Sequence, residues 1–295
     1  MSWDRHSVGG RALFVWAPTE PSRAYPVVYV LHSHLRDAQS WFNVEPFERS
    51  YPEAIEALAP AAIVALVDGW TDAGGGQWIG EHARYLCDDV VPFVEQRYPA
   101  SGARGLQGKS SGGYGALVNA FTHPELFHAV AAHAPMALFE VTIAHDFALA
   151  ARELRERGLS SPEEMLPVDG LTSAADAVLV ELASLARAFS DGTLPFDTRT
   201  GRLVPAVWER WLAHDPLRLA AKTDPSALRG VWLDAGRRDE YFLDLGVLAL
   251  RDELLARGLP EERLHCELFD GGHRGVSGRY PSSLEFLAGC LSMTF

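Results

Sequence analysis

Apolar and polar residues fall along the chain in short β-rich blocks separated by stretches of helical period. Residues 12–17 (ALFVWA), 26–31 (PVVYVL) and 61–67 (AAIVALV) are brief apolar runs rich in β-branched and aromatic side chains, which predicts three strands. A turn-rich segment, 18–25, separates the first two, and Asp68-Gly69 closes the third. Over 81–98 the apolar residues Tyr85, Leu86, Val90, Phe93, Val94 and Tyr98 recur near a helical period, so a helix is expected there despite Pro92. Residues 104–107 read as a further short strand and 114–121 as a helix.

From about residue 137 to 226 the pattern changes. Helical stretches at 148–158 and 174–189 flank an expected small hairpin around Thr200-Gly201, followed by a helix-like 205–213 that carries Trp208 and Trp211. Apolar strands resume at 230–233 and 264–269. Strands alternating with helices imply a largely parallel sheet covered on its faces, with an insertion lying over it. The expected organisation is a core of 1–136 and 227–295 that brackets a mainly helical cap, 137–226.

Composition narrows the partners. The chain has 295 residues, 47% hydrophobic and 22% charged, so a single large domain can bury an ordinary core. Its formal net charge is −13, the wrong sign for neutralising phosphates, which argues against nucleic acid and anionic membranes. Cys87, Cys266 and Cys290 lie far apart with no CxxC, so neither a disulfide framework nor a zinc knuckle is indicated. The start, Met1-Ser2-Trp3-Asp4-Arg5-His6, lacks the basic and apolar regions of a signal peptide, and no run is long enough for a membrane span. A soluble, cytoplasmic protein is expected, with a homo-oligomer left open.

Candidate chemistry centres on residues 108–112, Gly-Lys-Ser-Ser-Gly, a match to G-x-S-x-G with Ser110 central. A chance match occurs in roughly one chain in seven of this composition, so the context decides. The pentad follows a strand-like run and precedes a helix whose start is crowded by Gly112, Gly113 and Gly115, each about 1 kcal/mol poorer than Ala in a helix. Close packing of that helix against the sheet accounts for them. A serine nucleophile needs a base and the base an orienting acid. His273, in Asp270-Gly-Gly-His-Arg-Gly275 directly after the last expected strand, is the candidate base. Asp239, a few residues beyond the strand at 230–233, is favoured as the acid over Asp234 and Asp244. For the oxyanion hole, one backbone donor is Ser111; the second is His34, or Leu35 if the register shifts by one.

These segments resemble the putative-esterase family of α/β-hydrolases, which includes esterase D-like enzymes, enterochelin esterase-like proteins and the antigen 85 mycolyltransferases. The resemblance rests on Pro26-Val-Val-Tyr-Val-Leu-His32, Arg104-Gly-Leu-Gln-Gly-Lys-Ser-Ser-Gly-Gly-Tyr-Gly-Ala116, His123-Pro-Glu-Leu-Phe127, Asp215-Pro216, Ala235-Gly-Arg-Arg-Asp239 and Gly271-Gly-His273. It implies an α/β-hydrolase fold and a Ser110, Asp239 and His273 triad acting on a small-molecule ester without a cofactor or metal. It fixes the acyl-enzyme and not its acceptor, so acyl transfer is the alternative to hydrolysis. Ser33 stands where the family usually has glycine, which bears on the shape of the oxyanion loop, and Ser111 stands where relatives often carry Met.

Three rival readings stand beside this one. Residues 103–110 fall one residue short of a P-loop, because Ala103 occupies the position of its first glycine. His32-Ser-His34-Leu-Arg-Asp37 resembles the start of a metal-dependent hydrolase, with His32 and His34 as ligands, yet further ligand motifs are missing. A non-catalytic binder is disfavoured by the ordered presence of all three triad residue types. Lys109, beside the nucleophile, is either a solvated side chain or a contact for an anionic substrate group. Trp41, Trp70, Trp78, Trp208 and Trp211 are candidate aromatic walls, Trp41 and Trp208 foremost.

Overall fold

The computed structural model describes residues 3–20, 23–43, 49–168 and 170–293; the turn expected at 18–25 and the N-terminal hexapeptide lie partly outside them. Eight strands build one sheet. They are β1 (Asp4–Val8), β2 (Arg11–Trp16), β3 (Tyr25–Leu31), β4 (Ile63–Val67), β5 (Ala100–Lys109), β6 (Ala129–His133), β7 (Gly230–Gly236) and β8 (Leu264–Phe269). Their spatial order is β1-β2-β4-β3-β5-β6-β7-β8, with β1–β2 and β2–β4 antiparallel and every other pair parallel.

The continuous apolar runs of β3 and β4 follow from burial on both faces. Val27, Tyr29 and Leu31 enter one core cluster, while Val28 and Val30 enter the cluster on the other side. One face is covered by α1 (Tyr51–Leu58) and α11 (Tyr280–Ser292). The other carries α2 (Glu81–Arg84), α3 (Val91–Arg97), α4 (Ser111–Thr122) and α10 (Leu243–Ala256). Between α2 and α3 the helix widens into a π-type turn, Tyr85–Val90. That turn accommodates Pro92, whose ring would otherwise press on the carbonyl one turn earlier. The helix expected at 81–98 is therefore real but not uniformly α.

Between β6 and β7 run α5 (Phe139–Thr142), α6 (Asp146–Arg157), α7 (Ala174–Ser190), α8 (Pro205–Leu212) and α9 (Pro216–Ala220). Their aromatic residues Phe139, Phe147, Phe189 and Trp211 join the same cluster as Tyr114 of α4, so this segment shares the core rather than forming one of its own. The hairpin expected around Thr200-Gly201 is reduced to a single bridge, Phe196 with Leu203. Among the described residues, no helix is long and apolar enough to cross a membrane.

Several elements escaped the pattern. Strand β6 (AVAAH) has little β-propensity and reads as helix or loop, yet it is a central strand buried on both faces. Strand β1 is a polar edge strand without an alternating signature, and α1, α10 and α11 were not anticipated. Their positions depend on which strand ends need covering, which is a tertiary matter.

Helix α4 sits unusually close to its neighbours because of its glycines. A Cβ on Gly115 would overlap the base of the buried Trp78 side chain. Gly115→Ala should therefore overpack this contact and lower stability by about 1–3 kcal/mol, read as a lower midpoint at unchanged slope in urea unfolding. A wild-type midpoint would show that the contact relaxes freely.

Candidate active site

Four loops at the C-terminal ends of parallel strands converge. Strand β3 connects onward to β4 on one side and β5 to β6 on the other, so the gap between β3 and β5 is the topological switch point where open α/β sheets bind ligands. The loop holding His34 leaves β3, and the pentad leaves β5.

The strand-to-helix turn after β5 is a single residue. Ser110 sits between β5 and α4 with φ 56° and ψ −122°, a conformation that costs a non-glycine residue about 1–3 kcal/mol. The surrounding glycines make this turn fit. A Cβ on Gly112 would collide with the Leu31 carbonyl oxygen, and one on Gly108 with the Gly112 carbonyl. The Ser110 N–H donates to the His133 carbonyl at 2.9 Å, anchoring the turn to β6. This geometry also removes the P-loop reading, because the residues that would cradle a phosphate are committed to the ladder of β5.

His273 follows β8, and three consecutive residues after β7 hold it. Asp239 Oδ2 accepts from its Nδ1 at 2.9 Å, Glu240 Oε2 accepts from its backbone N–H at 2.7 Å, and the Tyr241 ring meets the imidazole edge-on at 4.9 Å. Since a carboxylate accepts, Nδ1 carries the proton and Nε2 is left bare. Asp239 is buried, and its second oxygen accepts from the Tyr241 N–H at 2.9 Å. The two loops are joined through backbone: Arg237 N–H donates to Phe269 O and Arg238 N–H to Gly271 O, each at 2.9 Å. Side chains on Gly236 or Gly272 would strike the opposite loop, and one on Gly271 would meet the Phe269 ring of its own, which accounts for the Gly-Gly before His273. Glu240 and Tyr241 were missed in the sequence, where nothing marks them beyond their adjacency to Asp239.

The other two acids are placed elsewhere. Asp234, inside β7 and fully buried, accepts from His133 Nδ1 at 2.8 Å, Trp232 Nε1 at 2.8 Å and Arg279 Nε at 2.7 Å. His133 Nε2 in turn meets Ser283 Oγ at 2.8 Å. These residues are also a serine, a histidine and an aspartate, but all three are buried where α11, which carries Ser283, packs on the sheet, and they brace it behind Ser110. Asp244 lies in the first turn of α10.

Among the described residues, the His34 and Ser111 backbone N–H groups have no protein acceptor, whereas the Leu35 N–H donates to the Gly74 carbonyl at 2.5 Å. Ser33 Oγ donates to the Lys109 carbonyl at 3.1 Å, so the residue that replaces the family's glycine ties the His34 loop to the turn of Ser110. His32 cannot serve as a metal ligand: Gly69 N–H donates to its Nε2 at 2.8 Å, and Nδ1 bonds the Ser33 carbonyl at 2.9 Å. The His34 imidazole is buried without partners, and burial lowers its pKa to about 4.

Ser110 and His273 line one cavity of about 600 Å³. No hydrogen bond joins the two side chains among the described residues, and such contacts commonly tighten only when substrate binds. The cavity wall is apolar at Met136, Ile143, Val178, Leu182, Leu185 and Leu243 and acidic at Asp146 and Glu181. Near Ser110 it is cationic, with Arg36, Lys109 and Arg274. Lys109 is not a solvated side chain; burial lowers its pKa to about 8, an effect that Asp239 opposes and Arg36 reinforces. Trp41 stands outside this cavity, against Tyr51 and Tyr280. Trp208 does not line it either, contrary to expectation. Its ring packs on Phe147 and Trp211, because a tryptophan at that position of α8 completes the apolar face of the helix. Trp78 and Trp211 are core, and Trp70 is exposed.

A mixed sheet with one antiparallel edge, a strained serine turn after β5 and a histidine loop after β8 defines an α/β-hydrolase. Residues 10–274 match the family described as "Putative esterase", and the chain belongs to that family, which makes it a carboxylic ester hydrolase. No protein of curated function matches by sequence. Similar solved structures include a ferulic acid esterase, at 16% identity and a TM-score of 0.60 over 99% of this chain and 98% of that one. Another is an S-formylglutathione hydrolase from Agrobacterium tumefaciens, at 16% identity and a TM-score of 0.59 over 98% and 95%. A third is the fluorophosphonate-binding serine hydrolase FphF of Staphylococcus aureus, at 15% and 0.58 over 97% of each chain. At these identities the likeness establishes the fold.

The acidic wall has a measurable signature. Burial, with Asp146 nearby, raises the Glu181 pKa to about 7. A carboxyl whose folded pKa lies above its unfolded value weakens the fold as pH rises through that interval, here from about 4.5 to about 7. Glu181→Gln should therefore raise Tm relative to wild type more at pH 8 than at pH 5. An equal shift at both pH values in thermal melts would refute the assignment.

Proposed function

We propose that the chain hydrolyses carboxylic esters through an acyl-enzyme on Ser110, with His273 as base and Asp239 as its orienting acid. The observation that carries this reading is the strained Ser110 turn opening onto the same cavity as a histidine whose Nδ1 is held by a buried carboxylate. As Ser110 Oγ attacks the carbonyl carbon, its proton passes to His273 Nε2, and Asp239 stabilises the resulting imidazolium. The tetrahedral oxyanion is bound by the Ser111 and His34 N–H groups, a role supported by their lack of other acceptors and by the engagement of Leu35 with Gly74. Collapse breaks the ester C–O bond, and the alcohol leaves with the proton from Nε2. A water then gives a proton to Nε2 and attacks the acyl carbon, releasing the acid and restoring Ser110.

Residues 137–226 are read as a cap, since α6 and α7 contribute Asp146, Val178, Glu181 and Leu185 to the cavity wall. Its apolar lining suits an acyl or alkyl chain, and small-molecule esters are the proposed substrates.

Ser110→Ala should lower kcat/KM for a p-nitrophenyl ester by about 10⁴-fold or more, and Asp239→Asn by about 10⁴-fold. Retained turnover in the Ser110 variant would end the proposal. A fluorophosphonate probe should label the wild-type protein on the peptide containing Ser110; labelling elsewhere would reassign the nucleophile.

A further inference from the structure

A second, smaller chamber of about 280 Å³ adjoins the reaction cavity, and the two share Ser33, Arg36, Lys109, Ser277 and Tyr280. Its lining is unusual for this chain. Acidic residues outnumber basic ones by 39 to 26 overall, yet three cations, Arg36, Arg49 and Lys109, line the chamber, and among the described residues no carboxylate lines it. Two carboxylates near these segments in sequence are already used. Asp37 caps the turn at Ser40 (2.8 Å), and Glu53 accepts from the Ser50 N–H (2.9 Å) at the start of α1. Among the described residues, neither Arg36 nor Lys109 forms a salt bridge or donates a hydrogen bond to a protein acceptor, although twelve arginine–carboxylate pairs occur elsewhere. Arg36 and Arg274 oppose the Lys109 charge while Asp239 and Glu240 favour it without pairing with it, so the cluster of cations leaves a positive potential beside Ser110 that an anion would relieve.

The rest of the wall is aromatic in part, beside polar Ser40, Asn43 and Ser50. Trp41, Tyr51 and Tyr280 contact one another at ring separations of 4.8, 5.3 and 5.5 Å, and the buried Trp41 Nε1–H has no acceptor. The Tyr51 hydroxyl is turned away to Gln107. Flat apolar surfaces next to guanidinium forks and an unused N–H suit a planar carboxylate-bearing group.

We propose that this chamber is a substrate subsite for a carboxylate, held by Arg36, Arg49 and Lys109, and that the esters turned over at Ser110 carry a free carboxylate on the portion lying there. The inference rests on the Ser110 reading for its chemistry, but it concerns selectivity and is tested separately. The acidic pair Asp146 and Glu181 lines only the larger cavity, so the site is polarised and a substrate with its anion on the wrong side meets repulsion.

The test compares isosteric esters that differ only in charge. p-Nitrophenyl hydrogen glutarate is set against p-nitrophenyl 4-carbamoylbutanoate, and 3-carboxyphenyl butyrate against 3-carbamoylphenyl butyrate, so the anion is carried first on the acyl side and then on the leaving group. In one of the two pairs, the carboxylate ester should be favoured at least about tenfold in kcat/KM. That preference should fall about tenfold in Arg36→Gln and in Arg49→Gln, shrink with added salt, and persist in Arg210→Gln, whose side chain pairs with Asp191 on the surface. Because the readout is a ratio measured on one preparation, a partly unfolded variant cannot mimic the loss. Equal turnover within both pairs, or a preference untouched by both substitutions, would overturn the subsite. Loss of the nucleophile assignment would instead appear as neutral-ester turnover surviving Ser110→Ala.

Discussion

The contact on which the site depends is the approach of Gly112 to the end of β3. With no side chain at Gly112 or Gly108, the backbone of α4 can begin one residue after β5 ends, and Ser110 alone makes the turn. That leaves its N–H on His133 and its side chain at the cavity. The same approach brings the Ser111 N–H into line with the loop from β3, whose Ser33 hydroxyl grips the Lys109 carbonyl. Strain at one residue is held by close backbone packing on two sides, a distribution expected where a fold has to present a reactive group.

The second organising feature is the joining of the β7 and β8 loops. Two backbone hydrogen bonds and glycines at 236, 271 and 272 bring the loops into contact, so Asp239, Glu240 and Tyr241 each constrain a different part of His273. Behind the sheet, Asp234, His133 and Ser283 use the same chemical groups for support. Burial separates the two sets: His133, Asp234 and Ser283 are fully buried and brace β6 and β7, whereas His273 lines the cavity. Charge is arranged with similar asymmetry. A chain of net −13 places Arg36, Lys109 and Arg274 on the cavity that Ser110 lines, with Asp146 and Glu181 entering it from α6 and α7, so the bulk charge says little about the substrate.

Much of the fold was legible because apolar runs of strand length and helical periods are local signals. The strands at 26–31 and 264–269, the turn at 108–112 and the histidine loop were all readable as pattern plus spacing. Strand β6 was not, because a central strand squeezed between α4 and α11 needs small residues, and alanines carry no strand preference. Trp208 and Trp41 were assigned one role from their location in loops or in the segment before β7. Whether an indole faces a cavity or a neighbouring ring depends on the packing of helices far apart in sequence.

By itself the sequence determined the chemistry on offer: a serine in a glycine-flanked turn, a histidine in a glycine-rich loop, an aspartate between them in chain order, and enough apolar blocks for a sheet to carry them. Those are properties of residue type and short spacing. Only the tertiary structure decided the contacts: Asp239, which spacing already favoured, and not Asp234 on His273, the Leu35 amide and not that of His34 on Gly74, and a half-buried Lys109 in place of a solvated one. Each choice depends on which atoms lie within about 3 Å of one another after the chain has folded, and such distances join residues dozens to hundreds of positions apart.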